Sequence, residues 1–137
     1  MSDPSQIATP SVIIITHGRI ALEALTARDT LAQEGILAGI LLCEYLKPYD
    51  RLAEEIADLL PDGTPVLFLE EEIRGGGFGM MLSDALRRRG SLNSRAYSIL
   101  ATDDSFVCQD KTEAIFKTAG VDAASIIEES RKLMASA

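Results

Sequence analysis

A single histidine, two runs of acids and one glycine cluster are the residues of this chain whose types and spacing invite chemistry. Imidazole exchanges protons near neutral pH, so His17 is a candidate general base. A carboxylate from Glu70-Glu71-Glu72 would be its partner if the strands that carry them are neighbours. The alternative is a histidine that satisfies local backbone groups or lies at an interface. The same three acids are also candidates for paired carboxylates or for holding a hard cation such as Mg²⁺. Consecutive strand residues point in alternating directions, so at most two of them can share a site. The bland reading has one acid bonded to backbone amides and the others solvated.

The glycines Gly75, Gly76, Gly77 and Gly79 follow directly. Glycine at a strand-to-helix turn permits positive φ and close backbone approach. A phosphate cradle is the first thought, and the neighbouring carboxylates argue against it. The dinucleotide fingerprint would need glycine where Met80 stands, and the P-loop would need a Lys-Ser/Thr pair. The loop reads as built for packing or protein contact. Asp103-Asp104 suggests a receiver domain, but Thr16-His17-Gly18 cannot supply the acid pair such a domain needs after its first strand. No G-x-S-x-G nucleophile elbow is present, Cys43 and Cys108 lack paired spacing, and one histidine cannot complete a zinc set. No catalytic, cofactor or metal residues are assigned.

These groups must be positioned by the elements around them. Apolar, β-branched runs at 11–16, 36–43, 66–69 and 95–100 predict strands, the last more polar and suited to an edge. Helical spacing predicts helices over 20–34, from Asp50 as N-cap through Leu59 and Leu60, over 78–89, and over 111–119 and 123–135. Gly35 stands at the usual C′ position of the first helix. Alternating strands and helices with short connections predict an α/β three-layer sandwich. Its sheet would be mostly parallel, of about five strands, with helices on both faces. In such sheets ligands and contacts gather beyond the carboxyl ends of the strands. That rim would carry His17, Glu70, Glu71, Gly76, Gly77, Phe78 and Gly79, and a small ligand there would meet His17, Glu71 and Asp103.

Composition bounds the rest. The chain has 137 residues, 47% of them hydrophobic, and a formal net charge of −8. That size suits one domain over 11–137 after a polar lead-in at 1–10. The acidic balance disfavours nucleic acid, whose phosphates are neutralised by Lys and Arg. The one basic run, Arg87-Arg88-Arg89, falls where a helix should end and its dipole favours cations. No apolar stretch reaches the roughly 20 residues that span a bilayer, and the start does not read as a secretory signal. A cytoplasmic setting without membrane contact is expected.

Several segments together resemble the C-terminal domain of the transketolase-like thiamine-diphosphate enzymes, within them the 1-deoxy-D-xylulose-5-phosphate synthase branch. Val12-Ile13-Ile14-Ile15-Thr16-His17-Gly18 with Glu23-Ala24-Leu25 is similar to the family's opening strand, turn and helix. Lys47-Pro48-Tyr49-Asp50, the signature Glu70-Glu71 then Gly76-Gly77-Phe78-Gly79, and Asp103-Asp104-Ser105-Phe106-Val107 follow in the family's order. Cys108 and Asp110 stand where the synthases tend to have proline and glycine.

The resemblance implies a non-catalytic assembly and buttressing domain. Thiamine diphosphate and Mg²⁺ would be held by other domains of the enzyme, on the same or a separate chain. It implies partnership with those domains and a homodimer. The parent reaction would condense pyruvate with glyceraldehyde 3-phosphate and release CO₂. The corresponding domain of a 2-oxoacid dehydrogenase β-chain and a stand-alone regulatory-ligand module are the alternatives. A partner backbone would approach at Gly76, Gly77 and Gly79, with Glu70 or Glu71 anchoring the loop through amide hydrogen bonds.

Overall fold

Val12–Thr16 forms β1, a run of β-branched residues buried along its whole length in the computed structural model of the chain. The structure describes residues 9–46, 48–73, 77–102 and 121–136. The further elements are α1 (Ala21–Gln33), β2 (Ala38–Leu42), α2 (Tyr49–Ala57), β3 (Val66–Ile73), α3 (Phe78–Arg88), β4 (Tyr97–Thr102) and α4 (Ala123–Ser136). The four strands are parallel in the order β2-β1-β3-β4. The described residues thus form a sheet of four strands where about five were expected. Among the described strands the more polar β4 lies at an edge, where its composition suits it.

Alternation along the strands builds the two outer layers. Ile13, Ile15, Val66 and Phe68 face Leu52, Ala53 and Ile56 of α2 and Leu82, Ala85 and Leu86 of α3. Ile14, Leu67 and Leu69 face Ala24 and Ala27 of α1 and Ile126 and Leu133 of α4. Because both faces are covered, the central strands read as unbroken apolar runs instead of alternating ones. Aliphatic burial of this kind is the main favourable term in folding.

The helix ends follow local chemistry. Gly35 adopts φ 79° after α1, and its amide donates to the Ala32 carbonyl, the left-handed stop that glycine supplies without strain. The Asp122 carboxylate accepts from the amide of Ser125 at 3.1 Å and caps α4. Asp50, expected as a cap, is not one. Pro48 holds the N-cap position of α2 with extended backbone, and Asp50 lies inside the first turn. Its carboxylate instead receives Arg88 from α3 at 3.3 Å. Leu59 leaves the helical face as well, because α2 ends at Ala57, and its side chain is exposed.

The Arg87-Arg88-Arg89 run is a solvated helix end: Arg87 and Arg88 pair with Asp84 at 2.5 and 3.2 Å. The expected helix at 111–119, the acid pair Asp103-Asp104 and nearly all of the 1–10 lead-in lie outside the described residues. Among the described residues no helix is long and apolar enough to cross a membrane.

Candidate functional site

The parallel sheet brings the ends of β1 and β3 side by side, with Thr16 in register with Leu69. Thr16 ties them together, its hydroxyl donating to the Leu69 carbonyl at 2.9 Å. Gly18, at φ 75°, then turns the chain into α1. Beyond Leu69 the pairing of β3 with β4 slips, so that four residue steps on β3 span two on β4. The acids therefore do not follow β3. They sit within it, on a bulge of the kind that re-aims side chains.

Alternation separates the two glutamates. Glu70 turns to the α3 side, fully buried, and its carboxylate accepts the Gly79 amide at 3.0 Å. Glu71 turns to the α1 side and accepts Arg19 at 2.7 Å. The expected amide anchor is thus Glu70, acting as a cap from a distance on the second residue of α3. A carboxylate there meets both an unshared amide and the positive end of the helix dipole. This also bears on phosphate binding, because the amide that a diphosphate would seek at this helix terminus is already bonded to a buried acid. The donor set does not fit that group.

His17 lies half-buried where β1 ends, its ring 4.7 Å from that of Phe78 at 61°. Phe78 opens α3 and is fully buried. His17 follows β1 and the acids lie within its neighbour β3, as the general-base reading requires; Glu70 accepts the Gly79 amide and Glu71 accepts Arg19.

The expectation of positive φ is corrected at Gly77 and Gly79, the members of the glycine cluster among the described residues. Gly77 is extended, at φ −80° and ψ −178°, a conformation open to any residue. Gly79 is helical, and its glycine identity has a steric origin. A Cβ there would lie 2.8 Å from Cγ2 of Ile99 and 3.3 Å from Cβ of Phe68. The close approach is between α3 and its own sheet. Gly76 and Asp103 lie outside the described residues, so the His17, Glu71 and Asp103 ligand grouping is placed only in its first two members. Among the described residues no three His, Cys, Asp or Glu side chains converge as metal ligands. Burial pushes the Cys43 thiol up to about 11, which keeps it a thiol and a poor nucleophile.

Sequence reasoning missed two features of this rim. One is Arg19, whose pairing with Glu71 depends on which strands are adjacent and has no local signal. The other is apolar. Leu22 and Leu25 in the first turns of α1, Leu42 and Tyr45 at the end of β2, and Met80 and Met81 in the first turn of α3 are all exposed. The topology places all six at the carboxyl end of the sheet. Leu22 lies off the Ala24, Ala27, Leu31 stripe that α1 buries, which was the available clue. Glu23, in the family-like Glu23-Ala24-Leu25 segment, accepts the Ala123 amide at 3.1 Å and docks α4 onto α1 at this end.

Residues 6–126 match the family described as transketolase, C-terminal domain. The 1-deoxy-D-xylulose-5-phosphate synthase of Clostridium botulinum (strain Eklund 17B / Type B) is 32% identical over 125 residues, covering 89% of this chain. That of Syntrophotalea carbinolica is 33% identical over 122 residues, again covering 89%. The chain spans 19% of the length of each of these relatives. Among solved structures, a split-gene transketolase described as an inactive β4 tetramer superposes with a TM-score of 0.73 at 23% identity. That match covers 98% of this chain and 46% of the other. A transketolase from Pichia stipitis superposes with a TM-score of 0.67 at 24% identity, covering 96% and 17%.

Proposed function

The chain belongs to the transketolase C-terminal domain family, and on that premise we propose that it is the non-catalytic assembly domain of a thiamine-diphosphate-dependent transferase of the 1-deoxy-D-xylulose-5-phosphate synthase type. Its partners are the cofactor-binding domains of that enzyme, on the same or a separate chain, within a homodimer. Thiamine diphosphate and Mg²⁺ sit on those domains.

One observation carries this reading. At the rim where an α/β sheet ordinarily binds its ligands, Glu70 and Glu71 are engaged internally, by Gly79 and Arg19, and exposed Leu22, Leu25, Leu42, Tyr45, Met80 and Met81 edge it. Exposed apolar groups gathered at one end of a domain mark a protein contact. The chain's share of its relatives' length, 19%, supports the same reading, since most of such an enzyme lies elsewhere. The relative described as a split-gene transketolase is a precedent for a chain that carries this fold apart from the remainder of its enzyme.

The test is co-purification of the chain with a separately expressed segment carrying the cofactor-binding domains. The expected result is a stable complex that Leu22→Ser with Met80→Ser weakens. A chain that shows no association with that segment, while remaining folded, removes the reading.

A further inference from the structure

The edge of the sheet opposite β4 has a different chemistry. Among the described strands none lies beyond β2. The Cys43 amide donates to the Thr16 carbonyl at 2.8 Å. Backbone groups alternate along a strand, so the amides and carbonyls of Ala38, Ile40 and Leu42 point the other way, out of the sheet. Edge strands left to solvent are guarded by charges, prolines or bulges. None of these guards β2: residues 36–43 contain no charge and no proline, and the register with β1 is unbroken. Leu37 and Leu42 are exposed along it.

An apolar groove of about 220 Å³ lies beside this edge on the α2 side, with Leu41, Cys43, Leu52, Ile56 and Leu59 among its walls. Alternation puts Leu37 on the same face as Leu41 and Cys43. One face of one edge thus offers both an exposed apolar side chain and an apolar groove.

Such an edge is complementary to itself. With a two-fold axis at Ile40, two β2 strands run antiparallel, Ile40 facing its own counterpart, Ala38 facing Leu42 and Leu37 facing Cys43. The outward groups of Ala38, Ile40 and Leu42 then meet the same groups of the second copy. Leu37 of each copy stands over the groove of the other. In this register Glu44 faces Ile36 and Glu34 faces Leu46, so no acid opposes an acid although each copy carries a net charge of −8.

We propose that β2 is a self-pairing edge, through which two copies of this chain join antiparallel into one continuous sheet, Leu37 of each seated in the other's groove. The inference supplies a surface for the homodimer of the proposed function and rests on that reading only in the expectation of a dimer. It needs no cofactor-binding segment, so its failure and a failure to associate with that segment are separate results.

The test is sedimentation equilibrium of the full chain alone, in about 0.15 M salt to screen its charge, over a series reaching about 1 mM. The expected result is a concentration-dependent dimer that Leu37→Lys and Ile40→Pro each weaken at least about tenfold. The Ile40 amide points away from β1, so proline there spares the chain's own sheet. Should Ile40→Pro not fold, Leu37→Lys alters only an exposed side chain and carries the test. Leu22→Ser with Met80→Ser, on the rim, leaves the dimer as strong. Leu37→Cys tests the register, because it sets a thiol opposite Cys43 of the second copy at a non-hydrogen-bonded pair, with Cα atoms about 4.5 Å apart. Mild oxidation then gives a covalent dimer that Cys43→Ser abolishes. A monomer throughout the series, a dimer undiminished by Leu37→Lys, a dimer lost in the rim variant, or no Cys43-dependent crosslink would each overturn the proposal.

Discussion

Gly79→Ala is the substitution in which the structure sets two known effects against each other. In a helix interior alanine is favoured over glycine by about 1 kcal/mol, and Gly79 lies within α3 without positive φ. Propensity alone predicts stabilisation. Against it, the added Cβ would stand 2.8 Å from Cγ2 of Ile99 and 3.3 Å from Cβ of Phe68. Cγ2 sits on the branched carbon of Ile99, a stiff side chain that cannot swing its methyl aside. Phe68 is fully buried on the central strand β3. Forcing extra volume into such a contact costs about 1–3 kcal/mol. The steric term wins, and the expected net loss is about 1 kcal/mol.

The urea midpoint, at unchanged slope, measures it. A double-mutant cycle separates the causes. Ile99→Ala removes the obstructing methyl and costs about 2 kcal/mol alone, and adding Gly79→Ala to it should then be neutral or stabilising. The coupling between the two sites should be about 1–2 kcal/mol. A stabilising Gly79→Ala in the unaltered chain, or an equal loss in both backgrounds, refutes the packing argument.

Glu70→Ala leaves the Gly79 amide buried without its acceptor and should cost about 1–3 kcal/mol. Glu70→Gln keeps an acceptor oxygen and gives up mainly the charge–dipole part, about 0.3–1 kcal/mol; equal losses for the two in urea unfolding would contradict the capping role. Cys43 has its thiol held up to about 11 against an ordinary value of 9.0. Above pH 9 the unfolded chain gives up this proton while the folded chain retains it, so the contribution is intact below pH 9 and is lost as pH rises towards 11. Stability of Cys43→Ser should therefore fall less steeply over that window, and parallel profiles for the two proteins would argue otherwise. Leu22→Ser with Met80→Ser should change the unfolding free energy in urea by no more than about 1 kcal/mol, about 0.5 for each exposed side chain. The same pair should weaken association with the cofactor-binding segment by at least about tenfold, a loss of about 1.4 kcal/mol or more.

Much of the fold was legible because the central strands are buried on both faces, so Val12–Thr16 and Val66 to Leu69 read as unbroken apolar runs. Gly35 marked the end of α1 for a local reason, its left-handed backbone. Legibility failed where distant residues decide. Asp50 has the chemistry of a cap, but Pro48 starts the helix earlier and Arg88 takes the carboxylate. The acids looked like the mouth of a loop because a bulge against β4 has no sequence mark. Gly79 was recognised as special, yet the cause is a side chain 20 positions further on, Ile99, visible only once α3 lies on the sheet. The amide anchor at Glu70 was legible, and the Arg19 partner of Glu71 was not.

The central claim is that this domain lends structure to chemistry performed elsewhere. Its most direct test is release of CO₂ from pyruvate in the presence of glyceraldehyde 3-phosphate, thiamine diphosphate and Mg²⁺. The assay is run with the chain alone, with the cofactor-binding segment alone, and with the two mixed. The account predicts no turnover from the chain by itself and a gain on mixing that saturates at equal stoichiometry. Turnover by the isolated chain, or a cofactor-binding segment whose rate does not respond to it, would contradict the account.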